Sequence, residues 1–411
     1  MVNLWAEFLI LVETIQFNLI NLRFAFHSNT LKKISICHFS SVHKTSDSRV
    51  LDRECKSLAA YFDVSFIGIG NESFQTEGVH VVGIKQHQKP FYRIIGSSFV
   101  SLFNALKIDA AVYHIHDAEL IWAGIFLSLM GKHVIYDIHE NTSADIKYRK
   151  WLPQWSRPLF VSMYRVLMQL AKNYVHFIPV LATENDIEKL HIHTTQKYTV
   201  VQNFAELNLL KKYRVQKRYN QQDTRLIYVG RLRDYYYNID PVLEAIYLLK
   251  KEGIQVQFEL IGFIEPQFLQ GFEHLSFWQE IKEQIHFKGE LDRKTWLEIS
   301  KTTSIGICIK NQADAEVLSH ERKLFEYIAL GIPSIFCDRK IYADLNHQYA
   351  VGISVDIENP LDIKNAIAKL ITDQAYFETL EENCIHAADD FLNWENEFEK
   401  LLNLYNEILS K

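Results

Sequence analysis

The sequence predicts an α/β protein of two doubly wound, Rossmann-like lobes that face each other across a cleft. Three observations predict it. Short β-branched runs alternate with helix-spaced stretches along most of the chain, the pattern of βαβ units and a parallel sheet. The alternation breaks once, at a polar and basic segment, and then restarts. At 411 residues the chain is also too long for one core.

In the first lobe, strands are expected at "KISICHF" (33–39), "DVSFIGIG" (63–70), "AAVYHIHD" (110–117), "HVIYDIHE" (133–140), "VHFIPV" (175–180) and "KYTVVQN" (197–203). Between them, "SRVLDRECKSLAAYF" (48–62) places Val50, Leu51, Leu58, Ala59 and Phe62 at helical spacing. "ELIWAGIFLSLMG" and residues 158–172 read as further helices. The polar stretch "LNLLKKYRVQKRYNQQDT" (207–224) reads as a linker. The second lobe has strands at "RLIYVGRL" (225–232), "VQFELIGF" (256–263), "IHFKGEL" (285–291), "SIGICI" (304–309), "PSIFCD" (333–338) and "GISVD" (352–356). Helices are expected at 240–253, 293–301, from Ser319, and at 360–372, and two acid-rich helices close the chain. The expected domains are 31–206 and 225–388, with 389–411 as a helix packing back on the first lobe. In such lobes, ligand-binding loops lie at the carboxyl ends of the strands, and a cleft between domains concentrates small-molecule sites.

Charge is uneven. Residues 1–210 carry 20 Lys and Arg against 18 Asp and Glu, and residues 211–411 carry 24 against 32. A mildly basic first half suits an anion-facing or membrane-facing lobe, and nothing is basic enough for a nucleic-acid binder. Five separated cysteines show no metal-binding spacing, so reduced, buried thiols in a cytoplasmic protein are expected. Residues 1–30 are rich in large apolar side chains, but Glu7, Glu13, Gln16, Asn18 and Asn21 interrupt them. They read as a docked amphipathic helix, an interfacial anchor, or an artefact of start-codon choice, with neither a signal peptide nor a membrane span expected.

The stretch "SHERKLFEYIALGIPSIF" (319–336) carries the chemistry. A helix from near Ser319 sets Leu324, Phe325 and Ile328 on one face, and Gly331 and Pro333 end it. Arg322 and Lys323 precede Glu326 by four and three residues. A helix tip with unpaired N–H groups and two cations suits a diphosphate. A carboxylate one turn deeper suits the vicinal hydroxyls of a ribose. The same spacing also describes a surface charge cluster.

This stretch resembles the "KlfEymA-G-P" element of family-4 retaining glycosyltransferases, which have the GT-B fold. Other segments follow in the family's order: "VLDRECKSLAAYFDVSFIG", "HIHDAELIWAG", "VIYDIHEN", "VVQNFAEL", "LIYVGRL", "ELIGF", "HFKGEL", "SIGICI" and "GISVD". The resemblance covers residues 33 to 390. It implies a transfer from a nucleoside-diphosphate sugar to an acceptor hydroxyl, with retention at the anomeric carbon and no obligatory metal or other cofactor. It implies that Glu326 binds the ribose, that Arg231 faces the diphosphate, and that Arg322, Lys323 and the N–H of Leu324 cap the phosphates. His139 then lies near the sugar and acceptor, with His116, Asp117 and Asn203 on the acceptor side. Asp47 and Arg49 guide the acceptor or form a loop salt bridge. His116 and His139 read equally as hydrogen-bonded rim residues, and "HIHD" lacks a third or fourth metal ligand at defined spacing.

The chain also departs from the family. Leu318 stands where a sugar-binding glutamate is usual, with Glu316 and Glu321 out of register, and Tyr235, Tyr236 and Tyr237 stand where a cation is usual. Lys323 or Arg233 is then the substitute cation. These changes keep two other readings open, an inactive partner or scaffold subunit and a nucleotide-sugar epimerase. On the acceptor side, "KYRKWLPQWSRPLF" (147–160) interleaves cations with Tyr148, Trp151, Trp155 and Phe160, the chemistry of a lipid headgroup layer. "KKYRVQKR" (211–218) adds charge. The expectation is a lipid-linked glycan acceptor of capsule or O-antigen type, with the protein peripheral on the inner membrane face. The alternative is that 147–160 packs on its own lobe.

Overall fold

The structure is a computed structural model. It describes residues 33–85, 90–139, 141–148, 152–181, 184–192, 197–232, 239–309 and 320–410. The chain divides into the units Met1–Ile34 and Ser35–Lys411. Of the first, Lys33 and Ile34 are described, so the expectations for residues 1–30 lie outside the described residues.

The first lobe of Ser35–Lys411 is built on β1 (Ser35–Lys44), β2 (Asp63–Ile69), β3 (Phe74–Thr76), β4 (Val79–Ile84), β5 (Val112–Ile115), β6 (His133–Ile138) and β7 (His176–Pro179). The sheet order is β3-β4-β2-β1-β5-β6-β7. All pairs are parallel except the β3–β4 hairpin. The second lobe carries β8 (Thr224–Val229), β9 (Val256–Ile261), β10 (Ile285–Gly289), β11 (Ile305–Cys308), β12 (Ser334–Cys337) and β13 (Gly352–Val355). Its order is β10-β9-β8-β11-β12-β13, parallel throughout. In each sheet the strand order reverses beside the first strand. Ligand crevices of doubly wound sheets form at that reversal, outside the carboxyl ends.

The helices of the first lobe are α1, which is π-wound over Ser48–Cys55 and α-helical over Lys56–Ala59, then α2 (Pro90–Ile108), α3 (Ile121–Leu129), α4 (Thr142–Tyr148) and α5 (Arg157–Ala171). Those of the second are α6 (Asp240–Lys251), α7 (Pro266–Phe272), α8 (Arg293–Ser300), α9 (Arg322–Leu330), α10 (Lys340–Tyr349), α11 (Pro360–Thr372) and α12 (Gln374–Asp390). The last helix, α13 (Trp394–Leu409), returns to the first lobe. Its Trp394, Leu401, Leu404 and Tyr405 share a core with Ile36, Val50, Phe62 and Val64. The Trp394 indole N–H donates to Ser57 at 3.0 Å.

Two sequence expectations change. "KYTVVQN" forms no named strand, and Tyr198 makes a single bridge to Phe177. Residues 207–224 are not a free linker. Leu207 and Leu210 enter the second core, and Arg218 is buried. Its guanidinium donates to the carbonyls of Ser300 and Leu330 at 2.7 and 3.0 Å, and to that of Thr303. Ser300 and Leu330 end α8 and α9, where helix carbonyls lack partners and the dipole is negative. Arg214 is likewise held by the Ala329 carbonyl at 2.7 Å and Asp389 at 2.9 Å. These cations of "KKYRVQKR" therefore stitch the second lobe rather than face a lipid.

Candidate active site

The carboxyl end of β1, where the register shifts between Phe39 and Lys44, is fixed by Asp117, which follows β5. One Asp117 oxygen accepts from the Ser40 hydroxyl at 2.6 Å and the Ser41 amide at 2.7 Å. Ser40 Oγ in turn accepts from the His43 amide at 2.7 Å. Asp117 thus shapes the rim. Asp47 caps α1, accepting from the amides of Arg49 and Val50 at 2.9 and 3.0 Å. Its other oxygen lies 3.0 Å from Nδ1 of His43. Burial disfavours the His43 cation, but the bond to Asp47 and the nearby Asp117 and Asp137 outweigh it and raise its pKa to about 9.

Below this rim lies a buried ionic core. Arg49 grips Asp137 with Nη2 at 2.9 and 2.8 Å and Nε at 3.3 Å, and its Nε lies 3.1 Å from Glu54. Nδ1 of His116 and Nδ1 of His139 lie 3.5 and 3.4 Å from the same Asp137. The His116 and His139 rings are parallel at 5.6 Å. Burial lowers both their pKa values despite Asp137. One cationic imidazole, His43, thus stands 5.3 Å from a neutral one, His139. Such a pair offers a proton donor and a proton acceptor side by side. His43, His116, Asp117, Asp137 and His139 form the polar end of a pocket of about 310 Å³, whose apolar part is made by Ile146, Leu152, Phe160, Met163, Tyr164 and Leu167.

In the second lobe, β8 and β9 are each followed by a glycine, Gly230 and Gly262. Gly262 has φ +134°, and a Cβ there would lie 2.0 Å from the Gly230 carbonyl oxygen. Glycine alone permits this close approach, and Arg231 follows directly on Gly230. Arg231 is exposed, its guanidinium 6.0 Å from the Phe263 ring. Lys323 is buried, with Nζ 3.3 Å from Glu321 and 3.7 Å from the centre of the Tyr228 ring.

The helix α9 begins at Arg322, three residues past Ser319, and Gly331 ends it at φ +72°. Its cap residue, Glu321, makes no side-chain cap. The Leu324 N–H is already bonded to the Glu321 carbonyl at 3.1 Å, so it does not stand open to a phosphate. Instead of one apolar face, every residue from Lys323 to Leu330 is buried. Glu326 is 6% exposed. A carboxylate so placed needs cations, and it has two, Arg322 at 3.0 Å and Arg293 at 3.8 Å. The charge cluster is thus real but internal rather than a surface feature. Arg322 also donates to the Ser48 hydroxyl at the start of α1, so the α9 tip meets the β1–α1 junction, where Asp47 pairs with His43.

The structure therefore gathers Asp47 and Asp117 at one rim with Arg49, His116 and His139 in the ionic core beneath it, and Arg322, Lys323, Leu324 and Glu326 in α9. Arg49 is locked inside its lobe and does not point at an acceptor. The buried Oδ1 of Asn203 makes no hydrogen bond, and the next residue, Phe204, packs on Phe325 of α9 at 4.5 Å. Leu318, Glu316, Arg233 and Tyr235 to Tyr237 lie outside the described residues. Sequence reasoning missed Asp137, His43 and Arg293. Asp137 was the readable one, a carboxylate inside the apolar run "VIYDI".

Residues 211–390 match the model of the family described as glycosyl transferases group 1. The chain carries a glycosyltransferase domain. A comparison with curated proteins gave no match. Among solved structures, the chain is similar to sucrose-phosphate synthase from Thermosynechococcus elongatus, with 16% identity, a TM-score of 0.69, and coverage of 92% of this chain and 99% of that one. It is also similar to HepE of Anabaena in complex with UDP and glucose, with 13% identity, a TM-score of 0.66, and coverage of 91% and 99%. WaaG, a glycosyltransferase involved in lipopolysaccharide biosynthesis, aligns with 14% identity, a TM-score of 0.62, and coverage of 89% and 98%. The fold of this glycosyltransferase is GT-B, two parallel-sheet lobes with helices on their faces.

Proposed function

We propose that the chain transfers a sugar from a nucleoside-diphosphate sugar to an acceptor hydroxyl, with retention at the anomeric carbon. The observation that carries this reading is the Arg322–Ser48 contact, which sets a basic helix tip of one lobe against the β1–α1 junction of the other. A leaving diphosphate there meets Arg322, Arg231 and Lys323, which stabilise the charge that develops as the glycosidic bond breaks. The acceptor enters from the side of His43 and His139, and the leaving phosphate helps take its proton on the same face. Glu326 receives the ribose hydroxyls once Arg322 turns from the carboxylate to the phosphates. Solved structures named for complexes with UDP and with UDP-glucose share the fold, which makes UDP the first nucleotide to try. No metal takes part in the step.

The acceptor is a lipid-linked glycan of a surface polysaccharide, and the first lobe docks on the membrane that holds it. No described helix is long and apolar enough to cross a membrane. The support for docking is a surface wider than 147–160. Trp155 is 82% exposed, and Leu159, Met163, Val166 and Leu170 form an exposed stripe along α5. Ile95, Phe99 and Phe103 do the same on α2, with Phe99 packed on Trp122 of α3 at 4.8 Å. Arg157, Arg165, Lys107 and Lys172 accompany them. Apolar outer stripes with cations suit the headgroup layer. Met163 belongs both to this face and to the pocket that ends at His139.

The test is nucleotide release from UDP- and GDP-sugars, with and without detergent-dispersed lipid-linked acceptor. Acceptor-dependent release that Arg322→Ala removes is expected. Full release by that variant, or none by the wild type with any donor that shifts its melting temperature, overturns the reading.

A further inference from the structure

Two strands and one helix bring four metal-ligating side chains to a single buried point. His38 on β1 and His114 on β5 are register partners across the sheet. His116 follows two residues on, and Glu54 comes from α1. One ligand atom from each of the four lies within 4.8 Å of the others, and all four residues are buried. Nδ1 of His38 is 3.0 Å from Nε2 of His116 and 3.8 Å from a Glu54 oxygen. These values bracket the roughly 3.3 Å between ligand atoms that a tetrahedral ion with 2.0–2.1 Å bonds imposes. Nε2 of His114 is buried and makes no hydrogen bond.

The remaining ring nitrogens point at oxygens. Nε2 of His38 is 3.0 Å, and Nδ1 of His114 2.9 Å, from the Tyr405 hydroxyl. Nδ1 of His116 is 3.5 Å from Asp137. Metal-bound imidazoles characteristically hand their second N–H to such an oxygen, which fixes tautomer and orientation. Arg49 approaches the other oxygen of Glu54, at 3.1 Å, and the Asp137 carboxyl is a further hydrogen-bonding neighbour of Glu54. Sequence spacing could not show this set, because "HIHD" supplies two of its members and β1 and α1 the others.

We propose that His38, His114, His116 and Glu54 hold a divalent transition-metal ion, zinc in the first instance, as a closed structural site. Three imidazoles and one carboxylate are a zinc ligand set, and full burial leaves no open position for chemistry. The ion ties β1, β5 and α1 together and, through Tyr405, anchors α13. It also fixes the ring of His116 at the pocket. The assignment does not rest on the transfer reading, and none of its readouts needs a donor or acceptor.

The test uses the full chain. Elemental analysis should find about one zinc per chain, and cobalt(II) in its place should give the intense visible bands of a tetrahedral site. A strong chelator should lower the melting temperature by several degrees, and zinc should restore it. Tyr405→Phe, which keeps the ring packing, should weaken zinc binding by about 10- to 100-fold. Glu54→Gln should weaken it further. Wild-type chain that takes up neither zinc nor cobalt, and melts alike with and without chelator, overturns the site and leaves a metal-free network with a neutral Glu54. Zinc retained undiminished by both variants places the ion elsewhere and overturns it too. If Glu54→Gln does not fold, the wild-type cobalt spectrum and Tyr405→Phe decide.

Discussion

Arg322 lies 3.0 Å from the Glu326 carboxylate, one turn along α9, and extends from there to Ser48 of the first lobe. One guanidinium thus joins the buried acid of the second lobe to the β1–α1 junction of the first. Removing Glu326 leaves Arg322 and Arg293 facing each other without their shared anion. Both guanidiniums are about a quarter exposed, so the cost falls below that of a dry pair. Glu326→Ala should therefore lose about 1–3 kcal/mol in urea unfolding. It should also lose most of the thermal shift given by UDP. A variant that is destabilised but binds UDP as the wild type does would remove Glu326 from the nucleotide site.

The His43–Asp47 pair makes stability depend on pH, and the sign follows from two shifts. Asp47 is held well below its ordinary 3.8 by the His43 hydrogen bond and charge and by the amides of Val50 and Arg49, against the effect of burial. The His43 pKa is raised from 6.5 to about 9. The acid's contribution is present above pH 3.8 and lost as pH falls further. The imidazolium's contribution is full below pH 6.5 and lost as pH rises to about 9. Counted once for the pair, this is on the order of 2 kcal/mol. His43→Gln should flatten the decline in melting temperature between pH 6.5 and 9. An unchanged alkaline limb would show that His43 does not carry that charge.

Asp137 takes three contacts from Arg49 in a dry interior. Asp137→Asn keeps the volume but takes from Arg49 its closest anion, leaving Glu54 at 3.1 Å, so a loss of about 3 kcal/mol is expected from denaturant midpoints. Arg49→Met added to Asp137→Asn should cost far less than Arg49→Met alone. Additive losses would mean that the two side chains are not coupled.

The strands were legible because interior parallel strands are near-continuous apolar runs, as "LIYV" and "SIFC" are. Two kinds of segment fall outside that pattern: "KYTVVQN", polar at both ends, makes one bridge past β7, and the edge strands β3 and β4, with at least half of their residues exposed or partly exposed, were not legible as strands. A pairing is legible where the partners lie within a few positions, as with Arg322 and Glu326. Asp137 and Arg49 are 88 residues apart, and only strand order brings them together. Arg218 misled for the opposite reason. Its neighbours along the chain are polar, and its true partners are carbonyls at the ends of two distant helices.

The exposed stripe of α5 makes a prediction that separates membrane docking from internal packing. Val161, Tyr164 and Met168 face the core, while Leu159, Met163, Val166 and Leu170 face outward. Substituting serine at Leu159, Val166 and Leu170 leaves both the core and the pocket lining intact, so stability should change by less than about 0.5 kcal/mol at each site. Each removes an apolar side chain worth about 1.5–3 kcal/mol when fully withdrawn from water. Even half-insertion of all three should therefore weaken partition onto anionic vesicles by more than about tenfold. Because Arg157, Arg165 and Lys172 lie on the same helix or at its end, raising salt should weaken wild-type binding and leave less to lose in the variant. Equal sedimentation of wild type and triple variant with vesicles would mean that this face does not meet the lipid. The apolar stripe would then need another partner.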